Sequence, residues 1–120
     1  MRPPLPLNLG TITLPTGTNT VELINTRDGG DVQKAWAQHA AQKRDKVAVE
    51  VSHSEDGSLE LSWWNGSAWV IKAIVAKTAA ANVTASQTWA VSHLSDIRVR
   101  WINGGTDQAG TFAVQAAFVD

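Results

Sequence analysis

Cysteine and tyrosine are both missing from this chain of 120 residues, and methionine occurs once. Without cysteine there is no disulfide staple and no thiolate metal site, and nothing speaks for one redox compartment over another. No apolar run approaches the ~18 residues that would read as a membrane span. Charge of either sign is scarce and nearly balanced, ten Lys and Arg against eleven Asp and Glu, for a formal net charge of -1. A chain of this kind has no global attraction for nucleic acid or for an anionic membrane, so neither is expected as a partner. The opening residues, MRPPLPLNLG, carry one Arg but no apolar core of signal-peptide length, so export by that route is not expected.

Groupings with catalytic spacing are scarce as well. His39, His53 and His93 are far apart and belong to no HxxxH or HExxH pattern. Ser67 sits in Asn65-Gly66-Ser67, a turn sequence rather than the GxSxG of a nucleophile elbow. Glu50 and Glu60 could face each other across neighbouring strands, but alternation puts both on a wet face, as a solvated pair rather than a glycosidase dyad. Asp28-Gly29-Gly30-Asp31 lacks the alternating oxygen ligands and closing glutamate of an EF-hand loop. Gly104-Gly105 is followed by no helix that would make it a phosphate loop. The expectation is no enzyme, with no catalytic residue, cofactor or metal.

What the chain does have is period-2 alternation, the mark of half-buried strands. Its organising stretch is 96–120. There Ile97, Val99 and Trp101 point one way and Arg98 and Arg100 the other; after a Gly-rich loop, Phe112, Val114, Ala116 and Phe118 form a second apolar row. This predicts a closing antiparallel hairpin, with the arginines on the outer face of a central strand, over Gln115 and neighbouring acids. Adjacent on one face, the two could also grip a carboxylate or a phosphate.

The same alternation recurs upstream. Thr11 to Leu14 and Thr18 to Ile24 read as short strands around Pro15-Thr16-Gly17. Lys46 to His53 reads as a strand with Val47, Val49 and Val51 inward. After a hairpin turn at Ser54-Glu55-Asp56-Gly57, Ser58 to Trp64 runs back with Leu59, Leu61 and Trp63 inward. Residues 71–75 are apolar on both faces, which predicts a strand covered on both sides. Residues 77–85 read as a small-residue loop or poor strand, and Trp89 and Val91 share a side further on. One helix is predicted over 31–44, with Asp31 as N-cap, Trp36 on its apolar face and Lys43 and Arg44 at its C-terminal end. The expected fold is mainly β: an antiparallel β-sandwich, jelly-roll or Ig-like, over residues 11–120, with one short helix.

Two segments stand out as contact candidates. Pro3, Pro4 and Pro6 mark residues 1–10 as an extended arm rather than a strand, along which Leu5, Leu7 and Leu9 alternate as a docking row would. Deleting this arm should leave a folded domain that no longer attaches to its partner. Asn65-Gly66 is the preferred two-residue type I′ hairpin connection, which sets Trp64 opposite Ser67, Ser62 opposite Trp69 and Leu61 opposite Val70. Trp64 and Trp69 then share the polar face with Glu60, Ser62 and Ile71. Either another element, such as the helix, covers them or they form an exposed apolar patch.

The stretches Asp96-Ile97-Arg98-Val99-Arg100-Trp101, Asn103-Gly104-Gly105-Thr106 and Phe112-Ala113-Val114-Gln115 are similar to closing hairpins in small cysteine-free β-sandwich virion proteins of tailed bacteriophages. These include head decoration (cement) proteins and fibre or tail modules. The resemblance covers roughly the last quarter of the chain and carries over no functional residue. It implies a capsid or tail component made in the host cytoplasm and resident in the virion, more readily on the head exterior than in the tail. Its partners would be a major capsid or other virion protein and its own copies, as a homo-oligomer such as a trimer. A carbohydrate-binding sandwich is the alternative, since coplanar Trp64 and Trp69 would form a platform for a sugar ring.

Overall fold

The computed structural model describes residues 3–14, 19–28, 44–53, 56–77, 84–104 and 111–120. They form eight strands: β1 (Leu5–Thr13), β2 (Thr20–Asn25), β3 (Lys46–Ser52), β4 (Gly57–Trp64), β5 (Trp69–Lys77), β6 (Thr84–Ala90), β7 (Ile97–Asn103) and β8 (Thr111–Val119). Alternation decides which side of each strand is buried. In β3, Val47, Val49 and Val51 are inside while Lys46, Glu50 and Ser52 face out; in β7, Ile97, Val99 and Trp101 are inside.

Two antiparallel sheets result, ordered β1-β8-β3-β6 and β2-β7-β4-β5. The strands pair first with last, β1 with β8, β2 with β7, β3 with β6 and β4 with β5. The contacts of β8 with β3 and of β7 with β4 complete the sheets. This is a long antiparallel ribbon, folded at the β4–β5 loop and rolled up: the jelly roll rather than the Ig-like order. Burying the two inner faces against each other supplies the main stabilisation.

The rolling overturns both hairpins expected at 54–57 and at the end of the chain. β3 and β4 lie in different sheets, as do β7 and β8, so each pair crosses the sandwich instead of lying side by side. A strand with one apolar row satisfies it equally well beside its successor or facing it, so alternation alone does not separate the two. The crossings are held by an aromatic cluster at one end of the core. There His53 stacks on Phe112 with centroids 4.7 Å apart, and Trp101 lies 5.8 and 5.9 Å from the two rings. The indole of Trp101 is fully buried and donates to Asn103 Oδ1 at 2.6 Å, so its one polar atom is satisfied. Glu50 and Glu60, expected across from each other, fall in opposite sheets.

The arm is corrected too. Residues 5–13 are an edge strand, with Leu5 opposite Phe118 and Ile12 opposite Phe112. Pro6 is tolerated because an edge strand has a row of backbone donors that no neighbour needs. Alternation puts both Leu7 and Leu9 in the core, a bulge between Leu7 and Gly10 brings Ile12, an odd number of residues further on, to the same side, and Gly10 takes a positive φ of 61°. The docking row is thus used up inside its own chain. Pro3 and Pro4 remain exposed, and the Pro3 carbonyl accepts from Arg44 Nη2 at 3.2 Å. Of the predicted helix only Arg44 falls among the described residues; it precedes β3 and is buried. His39, Trp36, residues 29–31 and most of the loop over 103–110 also lie outside the described residues.

Removing residues 1–10 is therefore expected to abolish cooperative unfolding rather than leave a folded domain. Leu7→Ala should cost about 2–5 kcal/mol in urea denaturation. A Cβ at Gly57 would fall inside the van der Waals contact of the Trp101 ring and the Ile102 carbonyl, so Gly57→Ala should cost about 1–3 kcal/mol in the same measurement.

Candidate functional site

Among the described residues, the outer face of β2-β7-β4-β5 brings together charged, aromatic and exposed aliphatic side chains. Its rows follow from the register. Glu22, Arg100, Glu60 and Ile74 lie side by side across the four strands; Asn25, Arg98, Ser62 and Ile71 form the next row; Trp64 and Trp69 close the β4–β5 end.

That end is built differently from the type I′ turn expected. Trp64 pairs with Trp69, Trp63 with Val70 and Ser62 with Ile71, so the loop has four residues, 65–68. Asn65 holds it: its N–H donates to the Ala68 carbonyl at 3.1 Å, and its Oδ1 accepts from the Ser67 and Ala68 amides at 2.8 and 2.9 Å. Gly66 has a φ of 103°. The register differs from the expected one by two residues, a full strand period, so Trp64 and Trp69 stay on the face predicted for them. A bulge between Leu61 and Ser62 then leaves Lys72 unpaired and puts Ile71 and Ile74 on the same outer face. β5 is an edge strand, not one covered on both sides: Ile71 is 54% exposed and Ile74 58%. Trp63, expected in the core, is only half-buried.

The tryptophan rings meet edge to face, 5.5 Å apart and inclined at 70°. The Arg27 guanidinium lies 4.0 Å over Trp64, and that of Arg98 4.9 Å from the Trp69 ring centre. Arg27 is placed by a turn in which Asn25 Oδ1 accepts from the Arg27 and Asp28 amides at 3.0 and 2.8 Å. The same turn is pinned by Thr26, which accepts from the Ile97 amide at 2.9 Å and donates to Asp96 at 2.8 Å. Coplanar rings, which a sugar platform needs, are not what this arrangement presents.

The charges on this face differ in how well they are matched. Arg100 donates through both Nε and Nη2 to Glu60 Oε1, at 2.8 Å for Nε, and the Glu60 side chain is only 4% exposed. Glu60 was expected on a wet face, and its burial is made possible by this charge-assisted pair. Arg98 lacks such a partner. Its Nε is buried with no acceptor, and the Glu22 carboxylate, 4.0 Å away, already accepts from Asn25 Nδ2 at 2.8 Å. Burial, with Arg100 adding to it, lowers the pKa of Arg98 against the opposing pull of Glu22 and Glu60. Gln115, expected under these arginines, lies in the other sheet, on the wall of an open groove of about 570 Å³ with Pro6, Gly10, Ala48, Glu50 and Ser86. Glu22, Arg27 and Asn25 belong to the site but were not singled out in the sequence, where the loop over 25–30 showed only turn chemistry. His53 belongs to the core and His93 is exposed, and the described residues hold no cluster of metal-ligating side chains.

Neither a protein-family model nor a curated protein matches this chain. A solved structure does. The fold is similar to that in the crystal structure of PBSX exported protein XepA, a phage-derived protein. The likeness has a TM-score of 0.66 at 19% identity and takes in 96% of this chain, which spans 37% of the length of that one. At this identity the likeness concerns the fold.

Replacing Arg100 by Met strands a buried carboxylate, and Glu60→Leu strands a cation that is 26% exposed. The first should cost about 3 kcal/mol and the second about 1–2 kcal/mol. The double variant should be less damaged than the sum, a coupling read directly from a double-mutant denaturation cycle.

Proposed function

We propose that the chain is a non-enzymatic structural protein of a phage particle, of the decoration or cement kind. It adheres to a shell protein, and to its own copies in a closed symmetric oligomer, through the outer face of β2-β7-β4-β5. The observation that carries this reading is the exposure of Ile71 and Ile74 on the face that also holds Trp64 and Trp69. Exposed aliphatic groups set beside aromatic anchors on a sheet favour protein contact over chemistry. The likeness in fold to a phage-derived protein supports the phage setting. Because Leu7 and Leu9 are buried, attachment is assigned to this face and not to a leading arm. No observation favours the sugar-binding alternative.

The test is where the protein goes when particles are made. Gradient-purified particles from a lysate containing it should carry it at a fixed ratio to the major shell protein, and particles lacking it should release their DNA at a lower temperature. Recovery entirely in the soluble fraction, with unchanged thermal release, overturns the reading.

A further inference from the structure

Among the described arginines of the candidate face, Arg98 is the one whose hydrogen-bonding capacity is left over by its neighbours. Arg100 is consumed by Glu60, and Arg27 has Asp28 at 2.6 Å as well as the Trp64 ring. Arg98 has only a distant edge of Glu22, and its Nε meets no acceptor. The Nε is enclosed, so a planar acceptor in two-point contact would be met by the two terminal nitrogens of a guanidinium held against an aromatic ring. Across the same row, beyond Ser62, lies Ile71, with Ile74 in the neighbouring row. Two strand spacings, roughly 10 Å, separate the backbones of Arg98 and Ile71.

We infer that this face binds a protein segment bearing an aspartate or glutamate carboxylate on Arg98 and an aliphatic side chain, a few residues along the segment, on Ile71 and Ile74. The inference rests on the proposed docking role and specifies the chemistry of the partner. Charge selects a carboxylate over a phosphate, because Glu22 and Glu60 flank the site and repel a dianion more than a monoanion. The lowered pKa of Arg98 agrees with a cation short of compensation, which a docked carboxylate would supply.

The probe is the peptide Ac-Leu-Pro-Pro-Glu-NH2. Its polyproline II geometry places the first and fourth side chains on one face about 9 Å apart. In a titration followed by ¹⁵N-edited NMR, the Arg98 Nε–H and Trp69 indole N–H signals should move together, with a Kd on the order of 1 mM. The glutamine analogue, or Arg98→Gln against the original peptide, should bind at least about tenfold more weakly, and Arg98→Lys should fall between. Ile71→Ser should weaken binding a few-fold. Equal shifts with the Glu and Gln peptides, or no movement of those two signals at millimolar peptide, overturn the inference. The peptide pair on the unaltered protein decides the matter even if Arg98→Gln fails to fold. Particle association with no response to the peptide would sink this inference alone; a response without particle association would sink the virion role alone.

Discussion

Trp101 is the contact on which the rest of the architecture turns. Its indole fills the end of the core where β3 gives way to β4 and β7 to β8, against His53 and Phe112 from the opposite sheet. Gly57, at the start of β4, lies so close to this ring that a Cβ there would collide with it. The hydrogen bond to Asn103 removes the penalty of burying the indole N–H. With Trp101 anchored inward, the period of the strand leaves no freedom for its alternate residues: Arg98 and Arg100 must emerge on the outer face. Core packing and surface chemistry are therefore coupled through one strand.

That coupling explains why this outer face is rigid without being inert. β7 and β4 are the inner strands of their sheet, each paired on both sides, so the side chains they present are held in register by three ladders of backbone bonds. Charge is distributed unevenly over this frame. The Arg100–Glu60 pair is closed and buried, while Arg98 one row away is incompletely matched. A bulge then turns Ile71 and Ile74 outward on the edge strand, and the unpaired Lys72 beside them discourages another sheet from adding on at that edge.

The inner rows of nearly every strand were legible in the sequence, because alternation of Val, Leu and aromatic residues in β3, β4, β7 and β8 reports burial directly. The pairing of strands was not. A single apolar row fits a neighbour in the same sheet or one facing it, and choosing between these depends on contacts distant in sequence, such as His53 on Phe112. β1 was hidden by its prolines, whose cost vanishes at a sheet edge. The four-residue β4–β5 loop was misread as two because Asn65-Gly66 suits both, yet the faces came out right since the shift was an even number of residues. Of the site, Trp64, Trp69, Arg98 and Arg100 could be assigned to outward faces in advance. Glu60 could not, because its burial depends on a cation contributed by a strand far along the chain.

The first and last strands run side by side, with Leu5 across from Phe118, and Arg44 reaches both the Pro3 carbonyl and, at 3.9 Å, the Asp120 carboxylate. The polypeptide thus arrives and departs through one doorway, on the sheet opposite the candidate face. A unit wired this way is portable. It can be spliced into the surface loop of a larger protein, or re-cut to begin elsewhere, while keeping the β2-β7-β4-β5 face turned outward from the host.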